Sequence, residues 1–324
     1  MRKSGLTALG RGASAAPGHR VIADLDHLLR LQAQARTLQL PSARRALRQR
    51  RGNYHSLLQG RGMSLAEIRP YQAGDDVRRI DWRVTARRQE PHTRVYEEER
   101  ERPVLVLTDL SPTLFYASEG SYKQVRAAEL ASLLAWVAHG SGDQAGGIVF
   151  GGRAATAVVR PSRRRRSVMQ LLNALAEGQR QQPAADGAIS GNPLNEALTE
   201  ARRIAHTGSR VFIVSDFAAV NEDSRALLAG LAMHNQVTAV MIADPLDERL
   251  PDQGSYAVSG PAGVLWFNGS DSALQQAWQD SARSGQTKLR NLFRQTGVTG
   301  LSLYTREEPL TVMHGLTSAG GRLL

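Results

Sequence analysis

At 324 residues the chain has length for about two domains and a sizeable core, and its 41% apolar and 22% charged residues are ordinary for a globular protein. It contains no cysteine, which excludes disulfides, thiolate metal sites and cysteine nucleophiles. The net charge of +11 sits almost wholly in the first third: residues 1–103 hold 21 Lys/Arg against 11 Asp/Glu, and residues 104–324 hold 20 against 19. A basic segment of this kind fits either an acidic partner or a solvated arginine-rich surface.

Residues 1–20 are rich in Gly, Ala, Ser and Arg without a period, which predicts disorder. They lack the apolar stretch of a secretory signal, and no run in the chain approaches the ~18 apolar residues of a membrane span. The expectation is a cytoplasmic protein. From Val21 to Leu40, Leu25, Leu28, Leu31, Ala35 and Leu38 recur at spacings of three and four and predict a helix. Pro41 ends it, and Ser42 can cap a second short helix through Arg50. Arg44, Arg45, Arg48, Arg50 and Arg51 cluster there, but no aromatic residues stand beside them to stack bases, which argues against nucleic acid.

Between Arg51 and Arg102 the spacing is irregular, punctuated by glycines, with short strands predicted over Glu67–Tyr71 and Thr93–Glu98. From Pro103 the pattern becomes strand–helix–strand. Val104–Asp109 opens with a continuous apolar run, as in a strand buried on both faces. A long helix follows over Tyr122–His139. Strands at Ala145–Phe150 and Ala155–Val159 flank Gly151-Gly152-Arg153 as a hairpin. Helices are predicted at Ser167–Glu177, Pro193–Thr207, Asp223–Met233 and Ser270–Gln295, and strands at Arg210–Ser215, Val237–Ile242, Gly263–Phe267 and Leu301–Tyr304. This alternation predicts an α/β fold, a mostly parallel sheet with helices on both faces and one antiparallel edge strand. The domain reading is a disordered 1–20, a helical and charged extension over 21–102, an α/β domain over 103–305 and a loose tail over 306–324.

The common catalytic signatures are missing. No Gly-Lys-Ser/Thr phosphate loop, no GxGxxG after a strand and no Gly-x-Ser-x-Gly elbow occurs, and the eight histidines form no His-x-x-x-His pair. What remains is two strands that end on aspartate, Asp109 and Asp216. In open α/β sheets ligands bind beyond the carboxyl ends of the strands. After Asp109, Ser111 and Thr113 alternate with Leu110 and Pro112, which in an extended turn gathers one carboxylate and two hydroxyls. Such a hard-oxygen set suits Mg²⁺. The same residues serve equally well as turn and helix caps, so both readings stay open.

A dense charged block precedes the first of these strands: Gly74-Asp75-Asp76, Arg78-Arg79-Ile80-Asp81-Trp82, Ala86-Arg87-Arg88, then Glu97-Glu98-Glu99-Arg100. Ion pairs within it would let so many charges pack, the planar arginine fork holding carboxylates bidentately. Ile80 and Trp82 are expected to anchor it in an apolar groove, as a structural brace.

These residues carry a resemblance. The run GDDVRRIDW, then AR, then EEER, resembles the signature of the bacterial family called domain of unknown function 58, which joins it to a von Willebrand factor A-like domain. The resemblance covers about Gly52 to Asp216. Asp109-Leu110-Ser111-Pro112-Thr113 is similar to the metal-ion-dependent adhesion site of such domains, Asp-x-Ser-x-Ser, with Thr113 in the place of a serine. Asp216 matches the aspartate after the fourth strand. Ser190-Gly191-Asn192 stands where Gly-Gly-Thr is usual, so that Asn192 replaces a ligand threonine and leaves the Mg²⁺ set incomplete. The resemblance implies a von Willebrand A-like, Rossmann-type sheet. It also implies a non-catalytic adaptor that works with a MoxR-type AAA+ ATPase, its client, or both. Two other readings stand beside it: a nucleic-acid-binding module using the basic N-terminal third, and a divalent-metal-dependent hydrolase with its metal at Asp109.

Overall fold

The computed structural model describes residues 21–40, 63–72, 74–98, 102–152, 155–180, 191–260 and 263–317. The segments predicted as disordered (1–20) and as a second helix (42–50) lie outside the described residues, as do Glu99 and Arg100. The chain divides into two compact units, one of residues 42–101 and the other of residues 1–41 with 102–324.

In the smaller unit, strands β1 (Met63–Pro70) and β2 (His92–Glu98) pair antiparallel, Pro70 opposite His92, with a bulge between Leu65 and Glu67. The connection between them holds the charged block, and its aspartates act as local caps. Asp75 accepts from Arg69 Nη2 at 2.8 Å and from Gln72 N–H at 2.9 Å. Asp76 accepts from Arg78 N–H at 3.0 Å, opening a short 3-10 turn over Val77–Arg79. Asp81 caps the helix Trp82–Arg88 through Arg83 N–H (3.1 Å) and Val84 N–H (3.2 Å), and its other oxygen takes Arg94 Nε at 2.9 Å. The bond from Arg94 and then that from the Val84 amide hold the Asp81 carboxyl below the usual range. Gly74 adopts φ +106°, a conformation that favours glycine. The expected apolar anchor is corrected here: Trp82 is 70% exposed, and Ile80 is half-buried, bridging to Thr93. Ala86 and Arg87 lie on the exposed part of the same helix.

The larger unit is built on β3 (Val104–Asp109), β4 (Ala145–Phe150), β5 (Ala157–Ser162), β6 (Arg210–Ser215), β7 (Gln236–Ala243) and β10 (Thr299–Tyr304). They form one sheet in the order β10-β7-β6-β3-β4-β5, parallel except for the edge strand β5. Along β3, side chains alternate between faces. Val104 and Val106 enter one core with the helices Leu25–Ala35, Lys123–Gly140, Arg165–Arg180 and Leu310–Thr317. Leu105 and Leu107 enter the other with Pro193–Ile204, Glu222–His234 and part of Ser272–Thr296. Burial on both faces is why the inner strands read as unbroken apolar runs.

Two differences from the sequence reading bear on the site. The 21–40 segment, grouped above with the charged extension, belongs to the sheet unit. Its helix Leu25–Ala35 lies on Lys123–Gly140, which is buried from Lys123 to Ala138. Polar contacts fix it there: Ala23 N–H to Gln179 Oε1 at 3.0 Å, Trp136 Nε1–H to Leu28 O at 3.2 Å, and His27 Nε2 with Glu129 Oε1 at 2.6 Å. Secondly, 306–324 is not a loose tail throughout. Residues 310–317 form a helix whose Val312 and Met313 are buried in the core. The predicted strand at 263–267 exists as β9 (Gly263–Asn268), but pairs with β8 (Ser255–Gly260) in a separate hairpin outside the main sheet.

Candidate functional site

The chain runs outward from β3 to β4 and β5 on one side, then returns to β6 on the other side of β3. The carboxyl ends of β3 and β6 therefore border the topological switch point, where the diverging loops leave a crevice. Asp109 is the last residue of β3, and Ser215 is the last of β6. Asp109 is 3% exposed. Its Oδ1 accepts from Ser111 N–H at 2.8 Å and from the Ser111 hydroxyl, and its Oδ2 accepts from Ser215 Oγ–H at 2.6 Å. Ser215 Oγ in turn accepts from Phe217 N–H at 2.9 Å, and Asp216 Oδ1 from Ala218 N–H at 3.0 Å. Gly151, at φ +78°, closes the near side. A Cβ there would collide with Ser111 Oγ and come within 2.6 Å of Asp109 Oδ1.

Burial raises the Asp109 carboxyl to about 6, and the charge of Asp216 adds to the rise, while the bonds from Ser111 and Ser215 oppose it. Two carboxylates thus share this crevice, one of them without its charge fully compensated by neighbouring hydroxyls.

Of the other residues singled out in the sequence, Thr113 sits exposed in a 3-10 turn, Pro112–Leu114. Among the described residues no hydrogen bond joins it to Asp109. Asn192 caps the helix Pro193–Ile204, accepting from Asn195 N–H at 3.1 Å, and its Nδ2 donates to Ala219 O at 2.6 Å in the loop after β6. Both ends of its amide are engaged, so it ties two loops of the crevice together rather than pointing a free oxygen into it. Among the described residues no group of three or more His, Cys, Asp or Glu side chains is placed to hold a metal ion.

Reasoning from sequence missed an adjoining network. Lys123, only 2% exposed, bonds Asp247 at 2.6 Å and the Tyr116 hydroxyl at 2.8 Å, and the Tyr116 hydroxyl also meets Asp247. Asp244, wholly buried, accepts from Ser118 N–H (2.8 Å), Ser118 Oγ–H (2.5 Å) and Thr305 Oγ1–H (2.7 Å). Burial, then the charge of Asp247, pushes the Tyr116 hydroxyl far up, and Asp216 contributes to the same rise. Asp216 therefore links the two clusters electrostatically. The signal was present in the sequence: β7, like β6, is followed directly by an aspartate, Asp244, and β3 ends on one.

The sequence matches the family described as protein of unknown function DUF58 over residues 67–291. The chain belongs to this family. Among its relatives, uncharacterized proteins of Mycobacterium tuberculosis (Rv1480) and Mycobacterium bovis (Mb1516) are each 31% identical over 278 residues, covering 85% of both chains. Among solved structures it is similar to the conserved hypothetical protein BatB from Bacteroides thetaiotaomicron. That match has 17% identity and a TM-score of 0.39, over 60% of this chain and 98% of that one. An aerotolerance-related membrane protein from Bacteroides fragilis matches at 15% identity and a TM-score of 0.39, over 66% and 96%. A membrane spanning protein from Vibrio fischeri matches at 17% and 0.20, over 67% and 97%. The expectation of a cytoplasmic protein is corrected on this finding, since two of these neighbours are described as membrane proteins. No helix among the described residues is long and apolar enough to cross a membrane.

Proposed function

We propose that the carboxyl edge of the sheet, centred on Asp109, Ser111 and Asp216, is a docking site for a protein partner. In this reading the DUF58 chain is a non-catalytic adaptor, working with a MoxR-type AAA+ ATPase in the assembly or activation of a client. The strand order, with a single antiparallel edge strand beyond β4, supports a von Willebrand A-like sheet. The family resemblance carried by residues 74–100 supports the ATPase partnership. The observation that carries the site is the pair of carboxylates at the switch point, one buried and held near 6 by desolvation and by its neighbour.

Such a pair is under-compensated in negative charge, and its ligand atoms are all oxygens. That chemistry fits Mg²⁺, which takes one or two carboxylates and retains several waters. Asp109 and Ser111 would hold the cation and Asp216 would face it, while Asn192 stays committed to its cap. Bound there, the cation would supply a positive centre for an acidic side chain of the partner. The protein's own part is rigidity. Ser215 and the Ser111 amide fix the orientation of Asp109, and Gly151 lets the β4–β5 turn approach.

The test has two steps. Calorimetry with Mg²⁺ on the wild type and on Asp109→Ala is expected to show binding that the variant loses. Co-purification from the native host, with Mg²⁺ and with a chelator, is then expected to recover a MoxR-type ATPase or a client only in the first case. Mg²⁺ binding without any partner rejects the adaptor, and partner binding indifferent to Asp109→Ala rejects the site.

A further inference from the structure

The smaller unit carries an exposed face that the carboxyl-edge site does not use. Residues 68–94 hold seven arginines against three aspartates and one glutamate. The aspartates are committed locally. Asp76 and Asp81 accept from backbone N–H groups of their own turns. The guanidinium groups that Asp75 and Asp81 hold belong to Arg69 and Arg94, on the two strands. Arg78, Arg79, Arg83 and Arg87, all inside the block, form no ion pair among the described residues.

The helix Trp82–Arg88 fixes which way these groups face. Val84 and Thr85 are half-buried, and Thr85 Oγ1 accepts from His92 N–H at 3.0 Å, so this side of the helix lies against β2. At about 100° of turn per residue the opposite side carries Trp82, Arg83, Ala86 and Arg87, all of them exposed. Trp82 is 70% exposed, and Val77, in the 3-10 turn just before, is 60% exposed beside Arg78. Large apolar side chains left in water next to uncompensated charge mark an interaction surface.

The guanidinium groups call for an anionic partner, and the apolar side chains distinguish a lipid surface from a nucleic acid. Single strands are held by successive aromatic rings on which the bases stack. This face offers one ring, and an aliphatic Val77 adds nothing to stacking. At an anionic bilayer every group has a place. An indole settles at the headgroup level, an aliphatic side chain enters the acyl boundary, and arginines meet the acidic headgroups.

We propose that the face formed by Val77, Arg78, Trp82, Arg83 and Arg87 docks the protein onto an anionic lipid surface. Binding of this kind is peripheral and needs no spanning helix.

The probe is a vesicle of equal parts phosphatidylcholine and phosphatidylserine, mixed with the full chain and read by flotation, with phosphatidylcholine alone as the control. The wild type is expected to float with the mixed vesicles and not with the control. Trp82→Ala keeps the Asp81 cap, which is made to the backbone of Arg83 and Val84, and removes a ring that lies outside the fold. It is expected to weaken partitioning more than about tenfold. Arg83→Ala and Arg87→Ala are each expected to weaken it about fivefold. Absence of binding to the mixed vesicles, equal binding to the control, or partitioning unchanged in Trp82→Ala or in both arginine variants overturns the proposal. Trp82-dependent binding of oligothymidine without vesicle binding overturns it in favour of nucleic acid.

Discussion

Replacing Asp109 by asparagine should make the protein more stable at neutral pH. The folded-state carboxyl lies at about 6, above the 3.8 of the unfolded chain. A group raised in this way contributes stability through its neutral form, complete below pH 3.8 and lost as pH rises through 6. Above that range the ionised, buried carboxylate costs the fold about 3 kcal/mol, at 1.36 kcal/mol per pH unit of displacement. Asparagine removes this penalty. It offers one acceptor in place of two, so that either Ser111 or Ser215 must find another partner, at a cost of about 1 kcal/mol. The net gain is about 2 kcal/mol, or about 4–8 °C for a domain of this size. Urea unfolding in a chelator, from pH 3 to pH 8, reads this directly. The wild type should lose stability between about pH 4 and 6 relative to Asp109→Asn, and below pH 4 the order should invert, with the wild type ahead by about 1 kcal/mol. Parallel profiles for the two proteins would refute the buried-carboxylate argument. With Mg²⁺ present the order should reverse above pH 7, because only the wild type gains from the cation. A site that destabilises its own fold until it is occupied is the expected signature of a binding residue.

Gly151→Ala should lower the melting temperature by an amount equivalent to about 1–3 kcal/mol, because it combines a positive φ with a collision at Asp109 and Ser111. The variant should also lose the pH dependence assigned to Asp109, since the loop must move away. On the other side of the sheet, burial pushes Glu129 up, but the bonds from His27 and Arg126 outweigh it and hold the carboxyl below 4.5. The stability it supplies is therefore present above 4.5 and disappears as pH falls through its lower folded value. Glu129→Ala takes the nearer carboxylate from the buried Arg126 and should cost about 3 kcal/mol, the low end for such pairs because Arg126 keeps its bond to Thr305 O and Glu308 at 3.5 Å. Limited proteolysis should then cut more readily near Ala23–Arg36. Unchanged cleavage would mean that the first helix does not depend on the contact between His27 and Glu129.

The strands of the sheet were legible because burial on both faces forces continuous apolar runs, and β6 was read to the residue. The site was legible where it lies at strand ends, at Asp109, Ser111 and Asp216, since the strand pattern itself locates the edge. Thr113 and Asn192 fitted a motif but not a contact. Alternation predicts which way a side chain starts, whereas the 3-10 turn after Ser111 and the cap at the start of Pro193–Ile204 decide where these two end. Lys123 and Tyr116 were hidden for a different reason. Each reads as an ordinary helix-entry residue, and only the partner 124 residues away, Asp247, makes the buried pair intelligible. Trp82 was misread because a large aromatic beside an isoleucine suggests burial, while here the cap at Asp81 sets the helix and the ring stays outside.

Asp109 and Asp143 sit at opposite edges of the same sheet. Five steps of about 3.3 Å along β3 separate Asp109 from Val104 by about 16–17 Å. Substitutions that far apart, without shared partners, add in their effects on stability. The double variant Asp109→Asn with Asp143→Asn should therefore combine the separate stability shifts of its parents. A departure from additivity would have a specific meaning in this fold. The strand joining the two edges, β3, is buried along its whole length. It is packed by different helices on its two faces, so a shift at one end could reach the other only by sliding β3 against β4 and β6.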